Sequence, residues 1–213
     1  MAPKNSSAGS SSLVVGCPSD NSRSVKATFP TIRYWIDSQD RVIWVNGEWA
    51  KFAAENDGGT VGAASGIVGR TLWSFIDDPT LCSLYREMVL IARKGRPVSF
   101  GFRCDAPCFR RIFQMRISRR AREEAEFAST LEFEEARERV SLLDCRQPRN
   151  DQFVRVCSWC QRVYANSRWM PVEAAVVELG LMSSPTLPAL THGICEDCYS
   201  KMSVEISTLR LAS

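Results

Sequence analysis

Two Cys-x-x-Cys pairs constrain this chain more than any other feature. Cys157-Ser158-Trp159-Cys160 and Cys195-Glu196-Asp197-Cys198 stand 34 residues apart. A pair at this spacing turns two thiolates toward one point, and two such pairs brought together put four soft sulfur donors around one centre. That donor set predicts tetrahedral zinc with every position filled, a structural rather than a catalytic site. Two other readings use the same residues: a thiol redox switch, with Cys195 and Cys198 near a helix N-terminus that favours thiolate, and a reduced, metal-free cluster. His192, three residues before Cys195, fits an outer hydrogen bond to a sulfur or the turn before Gly193 better than direct ligation, because four cysteines already complete a tetrahedron. It stands as the alternative ligand.

The remaining cysteines, Cys17, Cys82, Cys104, Cys108 and Cys145, bring the count to nine, an odd number with no framework spacing. Val14-Val15-Gly16-Cys17 has the form of a lipoprotein cleavage box, but the preceding Asn5 to Ser12 is polar where a signal needs an apolar core. The thiols are therefore expected reduced, in a cytoplasmic protein, with Cys104 and Cys108 as thiols flanking a turn. No run approaches the ~18 apolar residues of a spanning helix, so no membrane segment is expected. The single histidine excludes multi-histidine metal sites, and a net charge of +3 is too small to imply nucleic acid or membrane by itself. Arg103, Arg110, Arg111, Arg116, Arg119, Arg120 and Arg122 form a basic run, but acidic residues follow at 123–135, which reads as a solvated sheet face.

Residues 1–28 are Ser-, Gly- and Lys-rich and are expected to be disordered. From Thr31, Ile32, Tyr34 and Ile36 alternate with polar and aromatic neighbours, Ser38-Gln39-Asp40 turns, and Val42 and Trp44 alternate with Ile43 and Val45, predicting a hairpin. Asn46 caps a helix carrying Trp49, Phe52 and Ala53 on one face. Residues 60–69 read as a mobile loop. Leu81, Leu84, Tyr85, Met88, Ile91 and Ala92 form one helical stripe, stopped at Gly95. Alternation over 98–104 and 109–117 predicts two strands. The stretch 125–133 is rich in Glu and Ala, which favours helix, yet Ala125, Phe127, Leu131 and Phe133 alternate with polar residues, and strand is preferred. A linker is expected at 145–152, a helix over 172–179, and a last helix over 196–206 that frays from Ser207.

Strand, strand, helix, loop, helix and three antiparallel strands is the element order of a PAS domain. Tyr34-Trp35-Ile36-Asp37 and Arg41-Val42-Ile43-Trp44-Val45-Asn46 resemble the PAS opening hairpin, and Ile67-Val68-Gly69-Arg70-Thr71-Leu72-Trp73 resembles the recurrent PAS segment before the last helix. The tail, with Cys157-Ser-Trp-Cys160, Trp169-Met-Pro-Val-Glu173 and His192-Gly-Ile-Cys195-Glu-Asp-Cys198, resembles a cysteine-rich tail found after PAS, receiver or kinase modules of bacterial signalling proteins; Gln161 stands where that tail has lysine. The resemblance implies an α+β chain: a PAS-like five-stranded antiparallel sheet with helices at 29–144, the linker, then a small zinc-ribbon-like four-cysteine module at 153–206 and a tail at 207–213. It implies a sensory or adaptor protein that signals by protein–protein contact, with a kinase or response regulator as partner and a homodimer compatible with it. Trp35, Trp44, Trp49, Trp73, Phe100, Phe102 and Phe113 are the candidate lining of a PAS pocket, whose ligand the sequence does not name; core packing also accounts for them. A thiol redox sensor and a nucleic-acid-binding regulator are the competing functions. No nucleophile–base pair or open metal site marks an enzyme.

Overall fold

The computed structural model describes residues 31–56, 64–121 and 123–211. The leader at 1–28 with Cys17 and its cleavage-like box, the first part of the Gly/Ala-rich loop, Arg122 and the last two residues lie outside the described residues. The chain is α+β. Strands β1 (Thr31–Ile36), β2 (Val42–Val45), β3 (Val98–Arg103), β4 (Phe109–Arg119) and β5 (Ala125–Ala136) form an antiparallel sheet in the order β2-β1-β5-β4-β3. The β2–β3 connection carries α1 (Gly47–Glu55), α2 (Ala64–Ile67), a 3-10 turn at Leu72–Phe75 and α3 (Pro79–Arg93).

Local chemistry places these helices as the sequence suggests. Asn46 Oδ1 accepts from Trp49 N at 3.3 Å and starts α1, and Asp78 Oδ1 accepts from Leu81 N at 2.8 Å and starts α3, with Pro79 in its first turn. The stripe of α3 turns Leu81, Leu84, Met88, Ile91 and Ala92 into the core against β3, β4 and β5. The described part of the expected loop, Ala64 to Gly69, is ordered. Gly69 N donates to Val42 O at 2.7 Å and Val42 N donates to Arg70 O at 2.9 Å, so the segment is tied to β2. Gly69 sits at φ +87°, where only glycine is free of strain, while Ile67 and Leu72 on either side are buried.

Two register shifts alter the face assignments. Tyr34 pairs with Val45, Trp35 with Trp44, and Ile36 with Val42, with a bulge between Trp35 and Ile36. Val42 and Val45 therefore face inward with Ile36 and Tyr34, and Trp44 faces outward with Trp35. In β5, Leu131 pairs with Phe113 but Phe133 pairs with Ile112, so Glu132 is the extra residue and Phe133 moves to the outer face beside Ile112. Strand is the correct assignment for 125–136 despite its helical composition, since Ala125 and Phe127 are fully buried in it.

The rest of the chain builds a second, mixed sheet in the order β8-β7-β6-β9, from β6 (Arg149–Cys157), β7 (Val163–Ala165), β8 (Arg168–Met170) and β9 (Leu187–Gly193). Helix α4 (Val172–Glu178) covers one face through Val172, Ala175 and Val176, and α5 (Glu196–Leu211) follows β9. This is more than a ribbon. The expected linker at 145–152 is shorter: Arg149 and Asn150 already pair with Leu187 and Pro188. The last helix continues past Ser207 because α3 holds it. Ile206 is buried, Leu209 O accepts from Arg96 Nη1 at 2.6 Å, and Arg210 pairs with Glu87 at 2.9 Å. Cys157, Trp159, Cys195, Met202 and Ile206 belong to the same apolar core as Ile36, Met88 and Phe127 of the first sheet. A polar seam adds to this contact. Arg137 joins Asp105 and Glu173, each at 3.2 Å, and Arg110 joins Glu173 at 2.6 Å.

Candidate metal centre

Cys157 ends β6, and Gly193 ends β9. These strands are parallel neighbours, and Cys157 pairs with Gly193. That pairing brings two segments far apart in sequence to the same end of the sheet. The first knuckle closes when Gln161 N donates to Cys157 O at 2.9 Å and Cys157 N donates to Arg162 O at 2.8 Å, with Gln161 in the left-handed region. Ser158 N donates to Gly193 O at 2.8 Å and locks it to the second knuckle. A β-carbon at Gly193 would lie 3.0 Å from Arg155 Cδ and 3.3 Å from Asp78 Oδ2, so the Gly193 backbone runs where a side chain would press on both. Cys195 precedes α5 and Cys198 lies in its first turn, so the positive end of the helix dipole faces the sulfurs.

All four sulfurs lie within 4.8 Å of one another, and Cys157 and Cys195 are fully buried. Zinc–sulfur bonds of about 2.3 Å in a tetrahedron separate the sulfurs by about 3.8 Å. Cys160 Sγ and Cys195 Sγ are 3.8 Å apart. The cluster thus fits a zinc-like ion held by four thiolates, with no position left for water or substrate. Without a cation, the thiols hold protons against each other. Burial and a contact with Cys195 push Cys198 up to about 12, the hydrogen bond to Cys160 and burial raise Cys157, and the same Cys157 bond together with Arg162 brings Cys160 down to about 4. A divalent ion in place of those protons resolves the conflict.

Hydrogen bonds from outside the four ligands come from Arg162. Its Nε donates to Cys160 Sγ at 3.3 Å, and its Nη2 to Cys195 Sγ at 3.0 Å and to Asp197 Oδ2 at 2.7 Å. Cys195 N donates to Cys157 Sγ at 3.4 Å. His192, expected beside a sulfur, pairs with Val156 at the end of β9, with its side chain exposed near Asp77 and, among the described residues, no hydrogen bond to a cysteine. Arg162 went unnoticed in the sequence; its signal was a cation directly after the first knuckle.

The aromatic residues expected to line one pocket divide between three places. Trp49, Phe100, Phe102 and Phe113 are on the inner side. Phe102 stacks on Phe113 with centroids 5.5 Å apart, and Trp49 meets Tyr34 edge-on at 5.5 Å. Trp35 and Trp44 stack on each other at 3.9 Å on the outer face, under the Arg120 guanidinium, because the β1–β2 bulge turns Trp44 outward. Trp73 donates from Nε1 to Asp40 Oδ2 at 2.7 Å beneath Arg86 and fastens the β1–β2 turn instead. The inner wall includes residues outside the expected set: Tyr34, Phe52, Tyr85, Phe127 and Trp159. Burial raises the phenols of Tyr34 and Tyr85, and their mutual repulsion raises Tyr34 further, so both stay neutral.

Trp159, between the ligands of the first knuckle, reaches the inner face of the first sheet. Its ring lies 4.9 Å from Phe100 and 5.5 Å from Tyr85, and its carbonyl accepts from Arg103 N at 2.9 Å. Cys104 is a half-buried free thiol, whereas Cys108, expected as a second reduced thiol, is disulfide-bonded. Most of the basic run is in ion pairs, Arg103 with Asp105, Arg110 and Arg111 with Glu173 and Glu134, and Arg120 with Glu124. No helix among the described residues is long and apolar enough to cross a membrane. No family model, curated protein or solved structure matches the chain.

Proposed function

We propose that this chain is a PAS-type sensory or adaptor module of a signalling system, that it acts through protein–protein contact, and that its cysteine-rich tail is held by structural zinc. The observation that carries this reading is the first sheet. Its five antiparallel strands, with the helices inserted between β2 and β3, support the reading through the element order on which the resemblance rests. The four-sulfur geometry supports zinc, and the closed coordination leaves it a structural ion rather than a catalytic one. Zinc analysis of the purified full chain should give one ion per chain, and Cys157→Ser/Cys195→Ser should remove it; equal zinc in both would sink the metal assignment. Binding of purified kinase and receiver domains tests the adaptor role: saturable complex formation supports it, and none with any signalling domain overturns it.

A second reading, the thiol redox sensor, draws on the 3.8 Å between Cys160 and Cys195. Mild peroxide would oxidise these two thiolates to a disulfide, itself be reduced to water, and release the ion. Retention of zinc under that treatment counts against this reading. The ion-paired arginines weaken the nucleic-acid alternative, which needs cations available for phosphates.

A further inference from the structure

We infer that Cys198 is the modification site of the cluster: the one sulfur at which a soft electrophile of the α,β-unsaturated carbonyl class attacks, while Arg162 protects the others. The inference rests on the zinc reading above. Two properties decide which zinc-bound thiolate reacts, access and residual charge. Access removes Cys157 and Cys195, both fully buried, and leaves Cys160 and Cys198, both half-buried. Charge then separates those two. An N–H group donated to a thiolate withdraws density from the lone pair that would attack. Cys160 accepts from Arg162 Nε, Cys195 from Arg162 Nη2 and Cys157 from the Cys195 amide. Among the described residues, no N–H group donates to Cys198 Sγ.

Arg162 suits this role because its planar fork spans two sulfurs at once, one from each knuckle, and Asp197 holds the same Nη2. A lysine would reach one sulfur as a point charge. It is a positioning residue, acting through the ligands without being one.

The step balances simply. The Cys198 sulfur lone pair forms a bond to the β-carbon of the alkene. The alkene π electrons move to the α-carbon, which takes a proton from water, and the zinc–Sγ bond breaks. Alkylated Cys198 would no longer serve as a thiolate ligand, so Cys157, Cys160 and Cys195 alone would hold the ion less tightly. The same chemistry would convert a closed structural site into one that yields its metal to an electrophilic stress signal, starting from one residue.

The test uses the zinc-loaded full chain and N-ethylmaleimide below one equivalent per zinc site, with zinc release followed by a chromogenic chelator and adducts placed by peptide mass spectrometry. Cys82, Cys104 and Cys145 are scored separately. Among the four cluster cysteines, the first adduct should fall on Cys198 and rise in step with released zinc. Arg162→Gln should still bind one zinc but spread adducts to Cys160, with that site's rate up roughly tenfold, the factor one charge-assisted hydrogen bond is worth. Arg162→Lys should recover only part of the protection. Adducts at Cys160 as fast as at Cys198 in the unaltered chain, or an unchanged pattern in Arg162→Gln, overturn the inference. Less than one zinc per chain before any reagent is added overturns the zinc reading and this inference with it, so the two failures are distinct.

Discussion

Truncating Trp159 is the sharpest test of how the cysteine tail is joined to the first sheet. The side chain is 6% exposed and packs between Phe100 of β3 and Tyr85 of α3. Trp159→Ala removes the ring from a core that cannot fully collapse around it, a loss of about 3–5 kcal/mol, of which two aromatic contacts account for ~0.5–1.5 kcal/mol each. Against a total stability of about 5–15 kcal/mol, that is a large share. Trp159→Phe behaves differently. Among the described residues the indole Nε1 is buried without a partner, and its desolvation costs ~1–3 kcal/mol that phenylalanine does not incur. The gain offsets most of the lost ring area, so Trp159→Phe should fall within ~1 kcal/mol of the parent. Urea unfolding should be followed by far-ultraviolet circular dichroism and by zinc release together. Because Trp159 and Phe127 share one core, both midpoints should shift together in Trp159→Ala. Loss of zinc at low urea with an unmoved dichroism midpoint would refute the shared core. A Trp159→Phe cost equal to that of alanine would refute the argument from the unpaired N–H.

Other perturbations probe the remaining joints. Asp144 is 1% exposed; burial alone would raise its carboxyl, but hydrogen bonds from Arg146 and Arg139 hold it at about 2, below the ordinary 3.8. A depressed folded-state value gives stability that is present above about pH 4 and lost as pH falls toward 2, so Asp144→Asn should cost up to about 2 kcal/mol at pH 7 and flatten the acid limb of a stability–pH curve. Arg137→Ala leaves the fully buried Asp105 carboxylate short of a partner and should cost about 3 kcal/mol, whereas Glu173→Gln, at the exposed end of the same seam, should cost under ~1 kcal/mol in urea titrations. Chelating the metal should speed amide exchange in β3 and α3 as well as in the knuckles; change confined to 157–198 would mean that the ion stabilises the tail alone.

What the sequence made legible was whatever depends on near neighbours. The α3 stripe and the alternation of β3 need only a local period, and 125–136 forms a strand because Ala125 and Phe127 demand burial on one face despite the glutamates between them. The bulges escaped because they belong to pairs of strands, not to one strand. Nothing in Val42-Ile43-Trp44-Val45 alone says that Ile43 is skipped, yet that skip turns Trp44 outward onto Trp35, and the second bulge turns Phe133 outward.

The metal centre divides along the same line. The ligands were legible because Cys-x-x-Cys is local chemistry. Their meeting depends on a parallel pairing of β6 with β9, across an intervening hairpin and helix, and their outer hydrogen bonds depend on that meeting. His192 was the plausible partner by sequence distance, but a strand alternates its side chains, and the position that faces outward at His192 cannot also face the sulfurs. Arg162 is adjacent to one knuckle in sequence and reaches the other only through the fold. The spacing of four cysteines specifies a coordination number; Trp159, the residue inside the first pair, is what makes that coordination part of the first sheet's core.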